Sequence, residues 1–279
     1  MSSSVATAQQ LGQINGTIAL AGAGKMGGAM LSGWLSGGLA ANRVVVIEPH
    51  PSQEILALAA RGLRLNPPPG QAGAVDALVI AVKPQSFREA GAALKPLIGS
   101  ATLVVSIMAG IPIATIGEIC GGAVVRAMPN TAAAIGRGIT VAVPVSEVSA
   151  AQRAVADALL RATGAVEWIA DETWMDAVTA VSGSGPAYVF LLAEELARAG
   201  VEAGLPAELA TRLARETVAG SGELLHRSEL AAAALRQNVT SPGGTTAAAL
   251  DVLMGPNGLQ PLLTRAVAAA TRRSRELAG

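Results

Sequence analysis

Two glycine-rich loops, far apart in the chain, hold most of the residues able to do chemistry. The first is Gly22-Ala23-Gly24-Lys25-Met26-Gly27, directly after the apolar run Thr17-Ile18-Ala19-Leu20-Ala21. Gly22, Gly24 and Gly27 fall in the spacing G-x-G-x-x-G, with a strand expected before them and a helix after. In that context the first glycine permits a tight turn, the second lets the backbone approach a pyrophosphate, and the third lets helix pack on strand. The helix start adds free N–H groups and the positive end of its dipole. An ordinary tight turn is the competing reading in so glycine-rich a chain. The second loop is Ser241-Pro242-Gly243-Gly244-Thr245-Thr246, ahead of the apolar helical stretch 247–254. Its glycines expose backbone N–H groups at a helix start, which suits a carboxylate. Its threonine hydroxyls donate or accept at short range. A plain helix cap by Thr245 or Thr246 explains the same residues equally well. Together the loops suggest a nicotinamide dinucleotide at one site and a small substrate at the other.

Further candidates sit at the ends of expected strands. Glu48 closes the second strand, roughly twenty residues beyond Gly27, where an acid commonly accepts hydrogen bonds from the adenosine ribose. A solvated strand-end carboxylate is the alternative. An acid here repels a 2′-phosphate and no Arg follows closely, so charge alone favours NADH over NADPH. Ala81-Val82-Lys83-Pro84 ends another strand at the carboxyl edge, where ligands bind in such sheets. Lys83 is one of three lysines and is assigned near a cofactor phosphate or the nicotinamide ribose. Ala109 is counted with the cofactor-binding positions. Asn130, in Met128-Pro129-Asn130, either holds the nicotinamide carboxamide or caps the next segment.

The elements that must position these residues alternate through the first half. Strands are expected over 17–21, 44–48, 77–82, 103–107, 124–128, 139–143 and 166–169. Helices are expected over 26–35, 52–61, 87–97, 114–119 and 149–162. The unbroken apolar character of the strands implies a parallel sheet covered on both faces. The alternation implies a doubly wound α/β domain over 16–170. Pro67-Pro68-Pro69-Gly70 is expected to be a rigid surface connection. Beyond Asp171 strand signals vanish, and helices are expected over 173–181, 186–203, 207–225, 246–254 and 259–277. Residues 171–279 therefore read as a separate helical domain. Poor in aromatics and rich in Ala, it would have a thin core alone, which favours intertwining with a second copy.

Composition sets the outer bounds. Acids and bases balance at 20 each, so no polyanion is attracted and no nucleic-acid partner is expected. Arg265, Arg272, Arg273 and Arg275 read as a solvated helix face. Cys120 is the single cysteine; in an apolar stretch it reads as buried rather than catalytic, in a reducing, cytoplasmic compartment. The stretch 103–125 is apolar, but Pro112, Glu118 and its glycines break it into strand, short helix and strand rather than a membrane span. Residues 1–15 read as a disordered tail without signal-peptide character. No metal-ligating cluster is evident. His50 and His226 lie outside every motif and are expected at the surface.

Five segments, in order and spacing, resemble the pyrroline-5-carboxylate reductase family: Gly22–Gly27; Ala81-Val82-Lys83-Pro84; Arg126-Ala127-Met128-Pro129-Asn130-Thr131; Val181-Ser182-Gly183-Ser184-Gly185-Pro186-Ala187-Tyr188; and Ser241–Thr246. The resemblance runs from about Gly16 to the C-terminus. It implies a Rossmann domain followed by a helical dimerisation domain with helices interleaved between subunits, in a homodimer or larger homo-oligomer. It implies NADPH- or NADH-dependent reduction of 1-pyrroline-5-carboxylate to L-proline, the last step of proline biosynthesis. Thr246 would meet the substrate nitrogen, and backbone groups across Ser241, Gly243, Gly244 and Thr245 would hold the carboxylate. Family members commonly prefer NADPH, which sets Glu48 at odds with the resemblance. Such chemistry asks for orientation of two reactants more than for a positioned acid or base. Two other readings remain. One is another imine or β-hydroxyacid-type reductase; the β-hydroxyacid type usually places a catalytic Lys on a later helix, yet no Lys follows Lys95. A non-catalytic nucleotide-sensing dimer would need no second loop.

Overall fold

The computed structural model describes residues 11–68 and 71–278. Its strands are β1 (Ile18–Ala21), β2 (Val44–Ile47), β3 (Arg64–Leu65), β4 (Ala77–Ile80), β5 (Leu103–Ser106), β6 (Ala123–Met128), β7 (Gly138–Pro144) and β8 (Gly164–Trp168). They form one eight-stranded sheet in the order β3-β2-β1-β4-β5-β6-β7-β8. β1, β4 and β5 are buried along their whole length, because helices cover both faces. That is the physical origin of their unbroken apolar sequences. The helices of this part are α1 (Lys25–Ser36), α2 (Gln53–Ala59), α3 (Phe87–Leu94), α4 (Ile113–Cys120) and α5 (Ala150–Arg161). On one face Leu20, Val46, Val79 and Val105 pack with Met30, Leu31 and Trp34 of α1 and Leu159 of α5. On the other, Ala19, Val45, Leu78 and Val104 pack with Phe87, Leu94 and Ile116. The doubly wound α/β architecture is therefore present, and its strand order reverses between β1 and β4, the switch point where such sheets bind ligands.

Several local expectations are corrected. β7 runs antiparallel to β6, so the sheet is not wholly parallel. The link between them is only a short 3-10 turn, Thr131–Ile135, and a parallel return needs a crossover of a dozen or more residues. β3 has two residues, too few for any periodicity to register. α3 stops at Leu94 and passes into a 3-10 turn, Lys95–Leu97, since Pro96 has no N–H to continue the ladder. The stretch 173–181 is not one helix. It divides into a 3-10 turn (Glu172–Trp174), α6 (Met175–Val178) and a π-helical segment (Thr179–Gly183). The tail expected over 1–15 falls partly outside the described residues. Within them Leu11 is 0% exposed and Ile14 packs against the same core, so ordered structure begins before β1. Pro69 and Gly70 of the expected proline connection also lie outside the described residues.

The chain forms two compact units. One comprises the residues up to Gly183 together with those from Thr271 onward; the other is Ser184–Ala270. The boundary expected near residue 170 falls at the end of β8, whereas the first unit continues through α6. Met175 and Val178 join Val141 and Val143 in an apolar cluster, and the Ser274 hydroxyl donates to Asp176 Oδ1 at 2.7 Å. The second unit holds α7 (Gly185–Glu202), α8 (Ala207–Arg227), α9 (Ala232–Asn238), α10 (Thr245–Leu253) and the start of α11 (Leu259–Ala278). α9 was not anticipated. Gly204, at φ +97°, turns α7 into α8, and Pro206 is the N-cap of α8, the Gly-then-Pro order expected for a helix end and start. Among the described apolar residues of this unit only Ala210 and Ala214 are buried, while Phe190, Leu191, Leu213, Leu224 and Val252 stand exposed. The core is as thin as composition suggested.

Trp34 ties α1 to α5. It is fully buried, and its Nε1–H donates to the Leu159 carbonyl in the last turn of α5 at 2.8 Å. Trp34→Phe leaves that carbonyl without a partner inside the core. Thermal or urea unfolding should show a loss of about 1–3 kcal/mol.

Candidate functional site

The first glycine loop is shaped by what a side chain would strike. Gly22 has φ +90°, and a Cβ there would come within 2.7 Å of the Ala81 carbonyl oxygen. Its N–H donates to the Ile47 carbonyl at 2.9 Å, so one residue bridges the ends of β1, β2 and β4. A Cβ on Gly27 would collide with the Gly22 carbonyl oxygen. Gly24 is the reverse case, with nothing within 4 Å of an added Cβ. The two closed positions build the turn; the open one keeps the approach clear.

Gly24 is the N-cap of α1, and no side chain caps the helix. The first-turn N–H groups are therefore left for an external acceptor. No acid stands in that turn, and Lys25 begins the helix. A cation at the positive end of a helix dipole is unfavourable by itself and fits a loop that receives an anion. The residues fit a dinucleotide pyrophosphate.

Glu48 does more than end β2. Its Oε2 accepts the Ala23 N–H at 2.8 Å and its Oε1 accepts the His50 N–H at 3.0 Å, so the carboxylate is fastened to the loop rather than loose in solvent. Lys83, exposed, precedes a 3-10 turn opened by Pro84. Val82 joins the core on the β4 side. Ala109 is exposed beyond β5. These positions gather at the carboxyl edge of the sheet. Asn130 follows β6, and its Oδ1 accepts the Ile139 N–H at 3.3 Å, which gives its oxygen a structural partner in β7.

The second loop is resolved more sharply than its sequence allowed. Gly243 has φ +70°, and the Gly244 N–H donates to the Ser241 carbonyl at 3.0 Å. Gly244 is the N-cap of α10 without a side-chain cap, and Thr245 and Thr246 lie inside the first turn. Neither threonine caps the helix, so the plain-cap reading fails for both. Thr246 is half-buried and Ser241, Gly243 and Thr245 are exposed. The first turn carries no acid, leaving backbone N–H groups and hydroxyls available to a carboxylate.

Two of the quoted segments acquire partners that their sequence did not show. Arg126 is buried and its NH1 donates to Glu172 Oε1 at 2.6 Å, an oxygen that also accepts the Ile113 N–H at 2.8 Å. The Ser182 hydroxyl is buried without a hydrogen-bond partner, inside the π-helical segment that packs beside Met128 at Gly183. Such segments concentrate at functional positions. Cys120 is buried, which pushes its thiol up to about 11, in keeping with the structural role expected. Among the described residues no group of His, Cys, Asp and Glu is arranged to hold a metal, and no helix is long and apolar enough to cross a membrane.

A pyrroline-5-carboxylate reductase of Pseudomonas aeruginosa is 41% identical over 266 residues, covering 94% of this chain and 96% of the relative. The chain belongs to the pyrroline-5-carboxylate reductase family. Residues 172–277 match the family described as pyrroline-5-carboxylate reductase dimerisation, and residues 17–110 match one described as NADP oxidoreductase coenzyme F420-dependent. A solved pyrroline-5-carboxylate reductase from Coxiella burnetii superposes with a TM-score of 0.87 at 33% identity, covering 95% of this chain and 99% of that one. The Plasmodium falciparum pyrroline carboxylate reductase, solved with NADP bound, gives 0.79 at 30% identity, covering 95% and 99%. Family membership makes this chain a pyridine-nucleotide oxidoreductase with a Rossmann-type sheet and a helical C-terminal part.

Gly24 offers the cleanest test of the first loop. Gly24→Val places a branched side chain in open space on the side where a pyrophosphate would approach, so the fold should persist. Titration with NADH and NADPH should show affinity reduced by at least about ten-fold, with the melting temperature little changed.

Proposed function

We propose that this chain reduces 1-pyrroline-5-carboxylate to L-proline with NADH or NADPH, the last step of proline biosynthesis. The carrying observation is the uncapped start of α10, where Gly243 and Gly244 free the backbone and neither threonine is spent as a cap. That arrangement suits a small carboxylate with a polar ring atom beside it. The first unit supplies the dinucleotide site at Gly22–Gly27, Ala81–Pro84, Ala109 and Asn130, with Glu48 at the ribose. The second supplies the substrate clamp at Ser241–Thr246.

When bound, the reduced nicotinamide supplies a hydride for the imine carbon. The chain's own work is to bind, orient and exclude. Backbone N–H groups at the start of α10 receive the substrate carboxylate, with help from the dipole. The Thr246 hydroxyl orients the ring nitrogen, which is protonated for the reaction and emerges as the amine of proline. Orientation of two reactants supplies a large part of the acceleration in such steps. No general acid with a displaced pKa is needed.

The helical part also bears on assembly. Its exposed apolar side chains, with a match to a dimerisation family, support a homodimer or larger homo-oligomer built on these helices, with 171–279 acting as the substrate and dimerisation region. A cytoplasmic location accords with a single, unpaired, buried cysteine.

Two experiments test this reading. The purified protein should oxidise NADH or NADPH only when pyrroline-5-carboxylate is present, with proline as product by chromatography; dinucleotide binding without proline would favour a sensor. Separately, Thr246→Val keeps the shape and removes the hydroxyl. It should lower kcat/KM for pyrroline-5-carboxylate by about ten- to a hundred-fold, equivalent to one lost polar contact of about 1–3 kcal/mol. Because Gly244 and not Thr246 is the cap, the melting temperature should stay close to that of the unaltered protein. A lowered melting temperature with intact turnover would instead make Thr246 structural.

A further inference from the structure

Asn66 is the one described non-glycine residue with positive φ, at 44°. It follows β3, whose two residues make up the edge strand beside β2. Its backbone N–H donates to the Val46 carbonyl at 2.8 Å. Its side chain then repeats the pattern of a strand: Oδ1 accepts the Glu48 N–H and Nδ2 donates to the Glu48 carbonyl, each at 2.8 Å. A short polar side chain is what tolerates this left-handed backbone. The amide thus extends the pairing of β2 by one residue where the edge strand has already stopped.

That extra pairing acts on Glu48. The residue's N–H and carbonyl are both held by Asn66, while its carboxylate oxygens accept the Ala23 and His50 N–H groups. Main chain and side chain are fixed together at the end of β2, beside the glycine loop. In a sheet of this order the adenosine ribose lies there, and an acid accepts from its 2′-OH. The segment after Glu48 is poor in cations for a 2′-phosphate. Residues 49–60 contain no Lys or Arg. The Ser52 hydroxyl caps α2 as an acceptor of the Ile55 N–H. Glu54 is the acid of that turn.

We propose that Asn66 is a positioning residue that locks Glu48 at the ribose site and thereby makes this chain select NADH over NADPH. The inference rests on the dinucleotide-dependent reading above and narrows it. A fixed carboxylate repels a 2′-phosphate more than a mobile one, because it cannot turn away from the like charge. The same carboxylate accepts from the 2′-OH of NADH.

The test is equilibrium binding of NADH and NADPH to the full-length protein by calorimetry, with melting temperatures on the same preparations. The protein should bind NADH tighter by at least about ten-fold. Glu48→Gln, which removes the charge and keeps the size, should shrink the ratio of the two Kd values by about ten-fold. Asn66→Gly keeps a residue at ease in the left-handed region but deletes the clamp; it should shrink the ratio in the same direction. A purely structural Asn66 would lower the melting temperature or weaken both nucleotides equally, with the ratio unmoved. Equal or tighter binding of NADPH by the unaltered protein overturns the inference while leaving the reductase reading intact. A ratio that moves with Glu48→Gln but not with Asn66→Gly overturns the role of Asn66. Binding of neither nucleotide overturns both readings.

Discussion

The absence of a side chain at Gly22 governs the rest of the first glycine loop. With φ +90° and an added Cβ only 2.7 Å from the Ala81 carbonyl oxygen, only a glycine lets the end of β1 lie against the end of β4. That contact is the switch point of the sheet. It fixes where α1 begins, and so where its uncapped N–H groups emerge. Gly27 enforces the same geometry from inside the helix, because its own Cβ would strike the Gly22 carbonyl. Ala81, small and next to both, completes the fit. The loop can be this tight because the sheet beneath it is buried on both faces and does not yield.

Around this point the chain divides its labour. The first unit is a well-packed sheet with helices on either side. The second is a set of helices whose apolar residues largely remain on the surface. A body of that kind gains its stability by covering those residues with another surface. The helix starts at Gly24 and Gly244 are alike: glycine at the N-cap, no side-chain cap and no acid in the first turn. Each withholds the usual internal partners of its first N–H groups, which is how a protein keeps such groups for an anion. Stability is given up locally at each of these two helix starts.

Legibility in the sequence followed the range of the interaction. Long elements with strong periodicity were readable, and so was the strand–loop–helix unit around Gly22, because its signal lies in adjacent residues. The antiparallel turn of β7 was hidden, since the sequence of a buried strand is the same whichever way it runs. β3 was invisible at two residues. Asn66 carried no signal, because its importance lies in an unusual φ and in bonds to a residue eighteen positions away. The Arg126–Glu172 pair, likewise, joins residues whose proximity only the folded sheet creates.

What the sequence by itself determined is the alternation of elements, the doubly wound class, the two glycine loops and the family, all of them carried by local composition and spacing. The tertiary structure alone decided how particular polar groups and segments are partnered. It made Gly244 rather than a threonine the cap of α10, fastened Glu48 to the loop at Ala23, gave the Asn130 oxygen to Ile139, and carried the first unit on to Gly183. The reason is common to all four. Each is a choice between partners for one polar group or one short segment, and which partner lies within reach is set by the meeting of strands and helices remote in the chain.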